Sequence, residues 1–266
     1  MSLDTLSEIL DKLPPTLCQI ALGITSLDAH PDFIGVLQAV RERNLVPNFT
    51  MNGLFLDNVD LPKIVSLVGA IAVSCYEHLG KEVCYDAVRQ LKALGLEQTN
   101  IHLLYHEGNM GFVYEVLDDI RNKEVEPNAV VLLGLKPKGR GENMQPLSPA
   151  RFATLMGFCL KHEIPVGMDS CSCHKFLKAI EGMDITEQRR DYFHTVAEPC
   201  ESTLFSLYID VAGAVWPCSF TEGVEQPISV LEAEDFVEDV WNHPSMQAWR
   251  KKLLANNRAC PAYNID

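Results

Sequence analysis

Five cysteines toward the C-terminal end of the sequence, Cys171, Cys173, Cys200, Cys218 and Cys260, flank turns instead of lying inside apolar runs. Thiolates brought together there would hold a metal centre, either an iron–sulfur cluster or zinc. Cys200, twelve residues, Gly213, four residues, Cys218 is a specific arrangement. Alternation over 204–211 and 214–218 predicts a β-hairpin whose tight turn uses Gly213 at positive φ. The hairpin would carry two thiols at neighbouring ends, within reach of one centre. Cys260, in Cys260-Pro261-Ala262-Tyr263, supplies a further thiol from a distant segment.

Other candidates carry weaker chemistry. Lys136, Lys138 and Arg140 follow a strand and could grip a carboxylate or phosphate, or form a solvated loop. His102 and His106 flank one strand end, where a core or hydrogen-bonded role competes with a ligand-facing one. Asp169 closes a strand at its carboxyl end, the edge at which β/α folds place functional groups. The sequence contains no phosphate-binding Walker loop, no His-Glu-x-x-His and no Ser-His-Asp order.

The elements that must position these residues follow from periodicity. Apolar stripes at helical spacing predict helices over 6–13, 31–43, 61–67, 82–94, 111–120 and 149–162. Short apolar runs between them, at 17–22, 47–51, 70–75, 100–105, 129–135 and 165–168, predict parallel strands. Beyond about Lys178 the rhythm breaks, leaving the hairpin and a last helix over 244–255. We expect a boundary near residue 180, with domains at 1–180 and 181–266.

The 266 residues carry a net charge of −14, which disfavours a nucleic-acid partner because phosphate binding relies on Lys and Arg. The acidic run Glu222 to Asp239 reads as a solvated face. No apolar stretch reaches the length of a membrane span, and no secretory signal opens the chain. Nine cysteines, an odd number without a signal, do not suit a disulfide scaffold, so a reducing cytoplasmic location is expected. Cys18, Cys75, Cys84 and Cys159 lie in apolar periodic segments and read as small buried hydrophobes.

The block from Cys200-Glu201-Ser202 to Pro217-Cys218-Ser219-Phe220 resembles the auxiliary-cluster extension, SPASM or twitch type, of radical S-adenosylmethionine enzymes. Residues 4–180 resemble the barrel of the same family. The matching segments are 19–23 with His30-Pro31-Asp32-Phe33, Thr50-Met51-Asn52-Gly53, the strand ending Val73-Ser74, and Leu133-Gly134-Leu135-Lys136 through Gly139-Arg140-Gly141. The resemblance implies a partial parallel β/α barrel lacking the first strand, plus a C-terminal hairpin and helix extension. It also implies that Asn52 and Ser74 lie in the S-adenosylmethionine region. Two departures stand out. The family's Cys-x3-Cys-x2-Cys, which holds the catalytic cluster, is absent, and its Gly-Gly-Glu-Pro is replaced by Gly23-Ile24-Thr25-Ser26.

Without that motif, radical modification of a peptide or small substrate would need a partner chain to supply the first strand and catalytic cluster. For the auxiliary [4Fe–4S] cluster we expect Cys171, Cys200, Cys218 and Cys260 as ligands, with Cys173 the alternative to Cys171. Zinc on four cysteines, or on three with His174, is the rival centre, and thiols without metal a third state. A non-catalytic binding or scaffold protein is the alternative function, and the exposed barrel edge makes a homo-oligomer conceivable.

Overall fold

The computed structural model describes residues 1–265. Among them, six strands form one parallel sheet in sequential order: β1 (Gln19–Gly23), β2 (Val46–Met51), β3 (Ala70–Ser74), β4 (Gln98–Tyr105), β5 (Ala129–Gly134) and β6 (Val166–Met168). Neighbouring strands are joined through helices α2 (Phe33–Glu42), α3 (Leu61–Leu67), α4 (Lys81–Ala93), α5 (Met110–Arg121) and α6 (Pro149–Lys161). This is the α/β architecture expected from the alternation, since a parallel pair requires a crossover long enough for a helix. The six expected strands and the helices between them are all present, and α3 has the expected bounds.

Helix starts are set by local chemistry. Asp32 accepts the Gly35 amide at 2.9 Å, and Asp60 accepts the Lys63 amide at 3.0 Å with Pro62 in the first turn. Such caps satisfy amides that have no partner within the helix. Along β4 the exposure alternates strictly: Thr99, Ile101, Leu103 and Tyr105 are buried, while Asn100, His102 and Leu104 are half-buried. β5 alternates in the same way although its sequence is apolar almost throughout. One face of the sheet is therefore closed by packing, and the other carries side chains that stay partly accessible.

The chain divides into two compact units. The parallel sheet with its helices occupies Leu17–Leu135 and Thr154–Asp169. The other unit gathers Met1–Thr16, Lys136–Ala153 and everything from Ser170 onward. It holds α1 (Leu3–Lys12), α7 (Cys173–Glu181), α8 (Glu187–Val196) and α9 (Pro244–Ala255). An antiparallel three-stranded sheet of β7 (Tyr208–Ile209), β8 (Ala214–Trp216) and β9 (Ile228–Ser229) completes it. Its core joins Ile9 of α1 to Val215, Val230, Val240 and Met246, and Lys12 Nζ donates to the Ala233 carbonyl at 2.6 Å.

The hairpin lies where it was expected, with shorter strands and a third strand beside it. Gly213 has φ +82°, and a Cβ there would meet Leu231 at 3.0 Å, so both backbone and packing call for glycine. The sequence reading did not include α7 and α8. α8 buries no residue, so it has no apolar stripe to detect. In α7 the stripe of Cys173, Phe176 and Ile180 is interrupted by a buried lysine, Lys175.

Candidate metal centre

A cavity of ≈ 370 Å³ in the C-terminal unit is lined by Cys171, His174, Cys200, Cys260, Arg258 and Tyr263, among others. Its three thiols come from separate places. Cys171 lies in the turn before α7, Cys200 follows α8, and Cys260 follows α9. Cys218, just past β8, is half-buried and lies close enough to act electrostatically on Cys200. Cys173 is fully buried in α7 and does not line the cavity. Among the described residues, none of the nine cysteines is in a disulfide.

Hydrogen bonds stitch the thiol-bearing segments together. Ser202 Oγ donates to the Pro217 carbonyl at 2.8 Å, tying the segment of Cys200 to that of Cys218. Thr221 closes a turn on Cys218, accepting its amide at 3.1 Å and donating to its carbonyl at 2.7 Å. Arg258 Nε donates to the Cys200 carbonyl at 3.0 Å, and Nη2 donates to the Pro199 carbonyl at 2.7 Å. Tyr263 OH donates to the Phe220 carbonyl at 2.8 Å, and buried Lys175 donates to the Leu147 and Ile265 carbonyls. Both backbone bonds from Arg258 bring the Cys260 segment to Cys200, across a long stretch of sequence.

The electrostatics suit thiolates that receive positive charge. Burial pushes the Cys200 thiol up, and Cys218 and Cys260 push it further, against the Ser202 amide and the Arg258 guanidinium. Burial likewise raises Cys218, aided by Cys260 and opposed by donors at Phe220 and Thr221. Clustered thiols resist ionising together, whereas metal ions remove that penalty and displace the protons. Backbone amides directed at cysteine sulfur are also the contacts that stabilise a ligating thiolate. The donor set thus fits an iron–sulfur cluster. Among the described residues, no group of three His, Cys, Asp or Glu side chains is drawn together as a site for a metal ion, zinc or any other.

Residues 200–262 match the SPASM iron–sulfur cluster-binding domain. The match covers the segment whose cysteine spacing resembles the auxiliary-cluster extension. Among solved structures it is similar to SuiB of Streptococcus suis, with a TM-score of 0.71 and 12% identity, covering 100% of this chain and 70% of that one. SuiB bound to the precursor peptide SuiA and SuiB bound to S-adenosylmethionine match with TM-scores of 0.66 and 0.65. Each of these two covers 93% of this chain and 64% of the other, again at 12% identity. The chain thus spans about two thirds of SuiB, and at this identity the likeness is one of fold. No curated protein matches by sequence. The domain match agrees with the resemblance drawn from the cysteines, and the fold is like that of SuiB.

The remaining candidates separate into two groups. On the sheet, Thr50 Oγ1 and His102 Nδ1 lie 3.4 Å apart, and Ser74 pairs in register with His102. Burial lowers the His102 pKa, against the charge of Asp169, whose Oδ2 accepts the Gly134 amide at 3.3 Å. Asn52 Oδ1 accepts the Leu54 amide at 3.0 Å, so this side chain shapes the turn after β2. His106 is likewise bound into its own turn, its Nδ1 accepting the Gly108 amide at 3.1 Å. In the other unit, Lys138 donates to the Phe220 and Glu222 carbonyls, and Lys136 Nζ lies 5.4 Å from the centre of the Phe220 ring. Two of the three cations after β5 thus brace the loop following Cys218. Arg140 stays exposed.

His174, Arg258, Tyr263 and Thr221 build the centre but were not in the expected ligand set. His174 had entered only through the zinc alternative. Tyr263 was the detectable one of the others, since it follows Cys260 in the same short segment.

Proposed function

We propose that this chain binds one [4Fe–4S] cluster through Cys171, Cys200, Cys218 and Cys260, and serves as the auxiliary-cluster part of a radical S-adenosylmethionine system. The observation that carries the reading is the shared cavity, into which cysteines 171, 200 and 260 converge from three segments with Cys218 beside them. Cys171 is preferred to Cys173 because it faces that cavity. When bound, the cluster supplies one-electron transfer. The residues of this chain hold it, donate hydrogen bonds to its thiolates and limit the access of water.

The likeness to SuiB supports S-adenosylmethionine as a ligand of the sheet unit, with Asn52 and Ser74 in its region, and a peptide as the substrate class. Radical chemistry requires a cluster on Cys-x3-Cys-x2-Cys, a motif these 266 residues lack. We assign that cluster to residues outside them, on a partner chain. A reducing cytoplasmic setting suits nine cysteines of which none, among the described residues, is in a disulfide.

The test is iron, acid-labile sulfide and zinc content, with a visible spectrum, on protein purified without oxygen. About four irons and four sulfides per chain are expected. One zinc without sulfide, or no metal after reconstitution, overturns the reading.

A further inference from the structure

One fixed cation belongs to the thiol cavity. Arg258 lines it together with Cys171, Cys200 and Cys260, and among the described residues lining it there is no other Lys or Arg and no Asp or Glu. The guanidinium is held by three partners in one short segment. Nε donates to the Cys200 carbonyl at 3.0 Å, and Nη2 donates to the Pro199 carbonyl at 2.7 Å and to Glu198 Oε2 at 3.3 Å. These bonds fix the positive charge beside Cys200, near enough to favour the charged form of its sulfur. The Arg258 side chain is only 23% exposed, whereas that of Glu198 is 63% exposed. The backbone bends to make this placement. Asn257 and Arg258 have φ of +50° and +61°, and the Arg258 amide closes the end of α9 on the Leu253 carbonyl at 2.8 Å. Successive non-glycine residues in the left-handed region are strained, and such strain collects at sites with a task.

We propose that Arg258 compensates the negative charge of the cluster held in this cavity and so sets its reduction potential, while Glu198 offsets part of that compensation. The inference rests on the cluster reading above. An arginine stays protonated at any working pH, so its charge is constant. Reduction adds one electron to a centre already made negative by four thiolates, and net charge is among the quantities that set the potential. A fixed cation at a partly buried position favours the more negative state and raises the midpoint. Glu198 acts in the opposite sense and more weakly, because its carboxylate is screened by solvent and salt. Arg258 is then a positioning and tuning residue, and the four thiolates remain the ligands.

The experiment is a redox titration of the full chain with its cluster loaded, followed by visible absorbance and electron paramagnetic resonance, with iron and sulfide counted for each variant. Arg258→Gln should shift the midpoint to lower potential. Arg258→Lys, which keeps the charge but cannot reproduce the fork to two carbonyls, should recover most of the wild-type value. Glu198→Gln leaves the carbonyl bonds of Arg258 in place and should shift the midpoint upward by a smaller amount that shrinks at high salt. An unchanged midpoint in a loaded Arg258→Gln protein overturns the proposal, and so does a lysine variant that falls as far as the glutamine one. If Arg258→Gln takes up no cluster, Glu198→Gln decides, and an unchanged or lowered midpoint there overturns the charge role. Wild-type protein that takes up no iron and sulfide would sink the cluster reading itself, and this inference with it.

Discussion

The parallel-sheet unit and the C-terminal unit rely on different proportions of apolar burial and specific polar linkage. In the sheet, Ile71, Val73, Ile101, Leu103, Val130 and Leu132 are completely buried, and strands of three to eight residues pair in continuous register. In the C-terminal unit the strands are two or three residues long. Its segments are joined largely by single contacts such as Ser202–Pro217, Arg258–Cys200 and Arg250–Thr203. The first unit is stabilised by area removed from water. The second depends on a few directed contacts and, on our reading, on the metal that its thiols share.

All three tryptophans, Trp216, Trp241 and Trp249, lie in the C-terminal unit, so their fluorescence reports on it selectively. Cys218→Ala should abolish nearly all cluster binding, and the tryptophan fluorescence should melt well below the main circular-dichroism transition. Full iron retention in this variant would remove Cys218 from the ligand set. Leu103→Ala tests the opposite side of the comparison. It should cost about 2–5 kcal/mol in the main transition, as large-to-small changes in packed cores do, while iron content stays at wild type.

Asp119 offers a smaller effect inside the sheet unit. Its Oδ2 accepts from Tyr85 OH at 2.9 Å and from Lys81 Nζ at 2.6 Å, and Tyr85 is completely buried. Asp119→Ala should cost about 1–3 kcal/mol by leaving the phenol unpaired, and Tyr85→Phe in the same background should recover part of it. Chemical denaturation of the four combinations measures this directly.

The smallest effect is an acid response of the hairpin. Burial acts to raise the Asp210 pKa, but donors at Ala214, Trp216, Ala212 and Gly213 outweigh it, so the net shift is downward. A depressed carboxylate contributes stability above its unfolded pKa, and that contribution is lost as the pH falls through the lower folded value. Below about pH 4, Trp216 fluorescence should therefore change before the sheet unfolds, because Trp216 Nε1 donates to Asp210 Oδ2 at 3.2 Å. Asp210→Asn should flatten that step.

The regular part of the fold was legible because local pattern and global role agree there. The helices between the strands bury one stripe each, and the strands are apolar runs bounded by polar turns, so α3 and α9 were readable to the residue. α8 was not, since a helix that buries nothing leaves no periodic trace. The hairpin thiols were legible for another reason. Cys200, Gly213 and Cys218 are close in sequence, and a tight turn constrains what lies on either side of it.

By itself, the sequence determined the α/β alternation and the Cys200–Gly213–Cys218 hairpin, because each depends on residues within about two dozen positions of one another. The tertiary structure decided which distant groups share one cavity. It put Cys171 at that cavity and Cys173 in the packed interior of α7, and it brought His174 and Arg258 beside the thiols. It also grouped α1 with the C-terminal unit, through Ile9 and Lys12, although α1 opens the chain. These outcomes depend on long-range packing and on which face of a helix meets which partner, and neither is encoded in local spacing.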